Sequence, residues 1–120
     1  MAADDYMFMA SRFNEQVKDD GSDKTQVELI EDQYEVTEEE MEEFVRAFNF
    51  EGKEAVAEEA ADVLVTLFVL ADRMDFDLRE AYMLKMGYNL EKSGETDSNG
   101  KVVDDVGAEK PDFGVLFEDA

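Results

Sequence analysis

Histidine, cysteine and tryptophan are all missing from this 120-residue chain. Without the first two there is no Ser-His-Asp triad, no catalytic thiol, no His/Cys zinc site and no disulfide framework. Basic side chains are scarce as well: 11 lysines and arginines stand against 33 acids, for a formal charge of −22. A nucleic-acid backbone is repelled by such a chain, and so is an anionic membrane surface. Any metal it holds must be held by oxygens, which favours magnesium, manganese or calcium. No apolar run is long enough to span a bilayer, and the start, Met1-Ala2-Ala3-Asp4-Asp5, lacks the basic flank of a signal peptide. The expectation is a soluble, cytoplasmic protein.

With a single proline and seven glycines, the chain has room for long helices. Its apolar content of 44%, including 11% aromatic, argues for a folded core despite the charge. Helical spacing runs through Tyr6, Met9, Phe13 and Val17, and again from Val27 and Ile30 through Tyr34, Met41, Phe44, Val45 and Phe48. The pattern predicts helices over about 3–19, 25–49, 53–74 and 77–92, with Asp77 as N-cap of the last. An irregular tail over 93–120 is expected to be extended, with a tight turn or small hairpin at Asp97 to Val103. The expected architecture is all-α, a four-helix bundle in one domain spanning 1–120. Glu95 to Gly100 follows the ligand rhythm of a calcium loop, but Val106 occupies the place of its closing glutamate. An Asn-Gly turn accounts for it better.

In the third helix, Ala60 to Ala71 is apolar nearly all round except at Asp62 and Thr66. A helix apolar on every face is expected to be buried on every face, centrally or at a subunit interface. A carboxylate there loses hydration unless it is paired, protonated or bound to a cation. Glu59 lies three residues before Asp62 on the same face, and Glu40 and Glu43 repeat that spacing on the second helix. Facing pairs on antiparallel helices bring four carboxylates together, which is tolerable around a divalent cation. Glu38 to Glu43 holds five acids in six positions, so its E-x-x-E spacing follows from composition alone, and Glu39 with Glu42 fits as well. The apolar setting of Glu59 and Asp62 makes that pair the more informative one.

The order E-x-x-E then E-x-x-D on two central helices resembles the all-α NTP pyrophosphatase superfamily, the MazG-like and phosphoribosyl-ATP pyrophosphatase-like proteins. Glu58-Glu59-Ala60-Ala61-Asp62-Val63-Leu64 looks like the second acidic motif of that group, and Leu70 to Leu78 like the turn that follows it. Lys85-Met86-Gly87-Tyr88-Asn89-Leu90-Glu91-Lys92 resembles its closing K-M-x-x-N-x-x-[KR]. Asn99-Gly100-Lys101-Val102 through Pro111-Asp112-Phe113 is similar to the tail of phage-encoded members.

The resemblance implies that Glu40, Glu43, Glu59 and Asp62 hold magnesium, with manganese as a substitute. It also implies that Glu40 or Glu43 acts on the attacking water, and that a nucleoside triphosphate is cleaved to the monophosphate and pyrophosphate. Lys85, Asn89 and Lys92, on one helix face, then neutralise phosphate oxygens. Phe13 and Tyr88 can stack on the base, with core packing the plainer role for Phe13. A homodimer or homotetramer is implied, with helices packed across subunits. The basic set that reads the extra ribose phosphate in phosphoribosyl-ATP pyrophosphatase is not found, which favours control or cleansing of the nucleotide pool.

The competing reading is an acidic DNA mimic or interaction protein without catalysis, which gives no reason for Asp62 or for Lys85, Asn89 and Lys92. The remaining acids read as a salt-adapted coat, pointing to a halophilic archaeon or its virus.

Overall fold

The computed structural model describes residues 4–18, 23–91, 98–100 and 109–118. The fold is all-α: α1 (Asp4–Lys18), α2 (Gln26–Phe50), α3 (Lys53–Arg73) and α4 (Leu78–Glu91), followed by a single 3-10 turn, Phe113–Phe117. There is no strand among the described residues, and none of their helices is long and apolar enough to cross a membrane. The chain divides into two compact units, Met1–Leu78 and Arg79–Ala120.

α2 starts at a capping box. The Glu28 backbone N–H donates to the Thr25 hydroxyl (3.2 Å), and the Thr25 N–H donates to the Glu28 carboxylate (3.1 Å). The bond from the Thr25 backbone, followed by that from its hydroxyl, holds the Glu28 carboxyl below its ordinary value. α2 ends where Glu51 and Gly52 turn extended, and Gly52 caps α3. This two-residue break folds α2 and α3 into an antiparallel hairpin.

The hairpin's register can be followed along its length. The Gln26 side-chain amide donates to the Arg73 carbonyl, and that of Gln33 donates to the Thr66 carbonyl (3.2 Å). Glu40 meets Glu59. Each step of one heptad forward on α2 is one heptad back on α3, the geometry of a coiled-coil seam. Here, however, the seam carries polar side chains. Gln33 and Thr66 are buried in it, and the Thr66 hydroxyl is satisfied by the Val63 carbonyl of its own helix (2.7 Å).

α1 packs on α3 at two places. Tyr6 stacks on Phe68 with ring centroids 6.0 Å apart. Further along, Asn14, only 1% exposed, donates to Asp72 (2.6 Å) and accepts from the Arg73 Nε (2.8 Å). Arg73 also donates to the Leu29 carbonyl of α2 (2.5 Å), so one buried guanidinium ties three helices. Burial lowers the Arg73 pKa, and Asp32 and Asp72 oppose that shift.

The all-round burial expected of α3 is not found. Leu64, Val65 and Leu67 are exposed in the single chain, because within the first unit α3 is flanked by α1 and α2 only. The turn after α3 is a Schellman cap: the Phe76 N–H bonds the Ala71 carbonyl (3.0 Å) and the Asp75 N–H bonds that of Asp72 (3.2 Å). Asp75 sits in the left-handed region at φ 62°.

The expected extended tail is interrupted by the 3-10 turn, where Asp112 caps Gly114 (2.8 Å). Gly100, at φ 82°, lies in the turn at Ser98–Gly100. The rest of the expected hairpin, with Val106, lies outside the described residues.

Two stability predictions follow from this packing. Asn14→Ala leaves Arg73 Nε and Asp72 without their buried partner, so chemical denaturation should show a loss of roughly 2–3 kcal/mol. Asp75→Gly relieves a left-handed backbone at an exposed position, and the same measurement should show a gain of about 0.5–1 kcal/mol.

Candidate metal centre

Glu40 and Glu43 lie one turn apart on α2, and the hairpin register carries Glu59 of α3 to the same level. Each of the three offers a carboxylate oxygen within 4.8 Å of the others. Glu40 and Glu59 are partly buried, and Glu43 is exposed. One oxygen of Glu40 and one of Glu59 (Oε2 in each) are closed off from solvent and have no hydrogen-bond partner. Among the described residues, no lysine or arginine forms an ion pair with any of the three.

Like charges crowded together, partly out of water, resist ionisation. Loss of hydration is the first cause of a raised Glu40 carboxyl pKa, followed by the charges of Glu43 and Asp62. Glu59 is raised by the same causes in the same order, with Glu40 adding to them. A set of hard oxygen donors with two orphaned oxygens and no resident counter-charge matches what magnesium or manganese requires.

Asp62 is placed differently from the expectation. It is exposed, and its oxygens lie outside the cluster of three. Its charge is nevertheless felt by both Glu40 and Glu59. The desolvation anticipated at Asp62 falls on those two glutamates instead, because they face into the α2–α3 seam while Asp62 sits outside it. Glu39 and Glu42, the other possible register of the first pair, are exposed and stand apart from the cluster.

Asp62 also lines a groove of about 430 Å³ between α1 and α3, whose other walls include Tyr6, Met9, Phe13, Val65 and Phe68. Sequence reasoning assigned the Tyr6–Met9–Phe13 stripe to the core. The stripe does face α3, but it stops short of closing over it: Tyr6, Met9 and Phe13 are 49%, 56% and 44% exposed.

On α4, in the second unit, Lys85 is exposed and its ammonium lies 5.1 Å from the centre of the Tyr88 ring. Tyr88 itself is buried. Asn89, one turn on from Lys85, is partly buried, with its amide oxygen closed off and unbonded. Lys92 lies outside the described residues.

Neither the curated proteins nor the solved structures provide a match to the chain. Residues 23–105 match the MazG-like family. That span covers more than half of the sequence and includes both helices of the acidic hairpin as well as α4. On that match and its all-α fold, the chain belongs to the MazG-like family.

Proposed function

We propose that this protein is a divalent-metal-dependent nucleoside triphosphate pyrophosphohydrolase, releasing a nucleoside monophosphate and pyrophosphate. The observation that carries the reading is the convergence of Glu40, Glu43 and Glu59 with two buried, unpartnered oxygens, in a MazG-like chain. Asp62, three residues beyond Glu59, is the fourth ligand in this reading. A bound magnesium or manganese ion supplies neutralising charge for phosphate oxygens and lowers the pKa of water.

The chain's own residues do the rest. Glu40 or Glu43 orients a water and accepts its proton as the water oxygen attacks the α-phosphorus. The bond from the α-phosphorus to the α–β bridging oxygen breaks, and its electron pair leaves with pyrophosphate. A carboxyl raised towards neutrality by burial is a better proton acceptor than an exposed one. Lys85, Asn89 and Lys92 bind phosphate oxygens, with the substrate amide contact falling to the unbonded oxygen side of Asn89 or its NH₂ group.

The family match runs across both compact units, which supports treating them as one functional domain. Exposed Leu64, Val65 and Leu67 support a homo-oligomer in which α3 is covered by a second copy. A role in the nucleotide pool fits this assignment better than DNA mimicry, which needs acids spread over the surface and leaves the converged cluster unexplained.

Incubation with (d)NTPs and magnesium should release pyrophosphate, and EDTA should abolish the release. Glu43→Gln should reduce kcat by roughly 10²–10⁴-fold. Absence of turnover with every nucleotide would leave the non-catalytic acidic protein as the better account.

Stability provides a second check. Because burial and repulsion raise the Glu40 and Glu59 pKa values, these groups favour the fold while protonated. Their contribution is therefore fully present below the ordinary carboxylate value and is lost as pH rises through the raised values. At neutral pH without metal, the double variant E40Q/E59Q should melt at a higher temperature than the parent protein. Magnesium should raise the melting temperature of the parent and leave that of the double variant unchanged.

A further inference from the structure

The acidic cluster accounts for the phosphate end of a nucleotide and leaves its other end unassigned. The groove between α1 and α3 adjoins that cluster through Asp62, which lines the groove and whose charge acts on Glu40 and Glu59. Its volume of about 430 Å³ falls within the roughly 300–1,000 Å³ of small-molecule sites. Tyr6, Phe13 and Phe68 provide aromatic walls, with Met9 and Val65 completing an apolar lining. Methionine adapts its shape to a flat ring and makes favourable contacts with it.

We propose that this groove seats the base of the nucleotide and selects it by stacking area, so that purines are preferred over pyrimidines without discrimination among the purines. This rests on the pyrophosphohydrolase reading above. Apart from Asp62 and the Tyr6 hydroxyl, the groove has no side chain able to read the polar edge of a base. A site built to hydrogen-bond one substrate rejects others by orders of magnitude, whereas an apolar wall separates them only modestly. A bicyclic ring covers more of that wall than a monocyclic one, and stacking on aromatic side chains is tolerant of base identity. With the Asp62 carboxylate engaged at the cation, an exocyclic amino group gains nothing, and hypoxanthine is handled like adenine and guanine. A second copy of the chain is the other conceivable occupant, but the continuity with the carboxylates through Asp62 favours the base.

The test is kcat/KM with magnesium for dATP, dGTP, dITP, dCTP and dTTP. The three purines should fall within about tenfold of one another and exceed the pyrimidines by about tenfold. Phe13→Ala should raise the purine KM more than it lowers kcat, while Phe13→Leu, which keeps the apolar wall, should restore most of the loss.

A preference above roughly 100-fold for one base, for pyrimidines, or for amino-bearing purines over dITP would overturn the proposal. So would Phe13→Ala splitting an oligomer on sedimentation with KM unchanged, which would assign the groove to a second copy. If no nucleotide is turned over, purine monophosphate binding is followed by the Tyr6 and Phe13 ring resonances. Binding there would retain the groove assignment and sink only the catalytic one, and absence of binding would overturn both.

Discussion

The antiparallel register of α2 against α3 is the constraint on which the rest of the first unit depends. It is set at the break of Glu51 and Gly52, and from there it propagates in heptad steps to Gln33 with Thr66 and to Gln26 with the Arg73 carbonyl. The polar groups in this seam make the register specific. Gln33 is buried and finds its acceptor only when Thr66 is opposite, so a slip of one turn strands a buried amide, which costs more than the bond itself contributes. The same register carries Glu59 to Glu40 and Glu43. The acidic cluster is therefore not assembled by its own interactions, which are repulsive, but imposed by packing on either side of it.

That arrangement places opposing electrostatic features at the two ends of the hairpin. Near Gly52, three carboxylates crowd together with no cation of the protein's own among the described residues. At the far end, buried Arg73 is surrounded by Asn14, the Leu29 carbonyl and the charges of Asp32 and Asp72. The second cluster has its charges matched and stabilises the docking of α1 onto α3. The first is left unmatched, and a site that withholds compensation in this way is suited to a cation arriving from outside.

α1 is held at Asn14 and at the Tyr6–Phe68 stack, and the groove lies along the same α1–α3 face. Its walls come from residues whose spacing is that of a core stripe. They remain half exposed because α1 contacts α3 along a line and does not close over it. The wide apolar band of α3 is thus divided among three surroundings within the first unit: the α2 seam, the α1 contact, and an outward surface at Leu64 and Leu67.

The sequence by itself determined the all-α class, the four helices and their ends, since helical periodicity, the Thr25 capping box and the Gly52 break are all local. It also determined that oxygen ligands alone were available, and that Glu59 and Asp62 share one face of α3. It did not determine which turn of α2 meets α3: Glu38 to Glu43 contains two equivalent acid spacings, and only the hairpin register separates Glu40 and Glu43 from Glu39 and Glu42. Nor did it reveal that Asp62 is exposed while Glu40 and Glu59 carry the cost of lost hydration. The buried trio of Asn14, Asp72 and Arg73 was equally hidden, because its partners are separated by 58 and 59 residues. Periodicity within a helix is written in neighbouring residues, but the facing of two helices, and with it the solvation of every side chain between them, is decided only when distant segments pack.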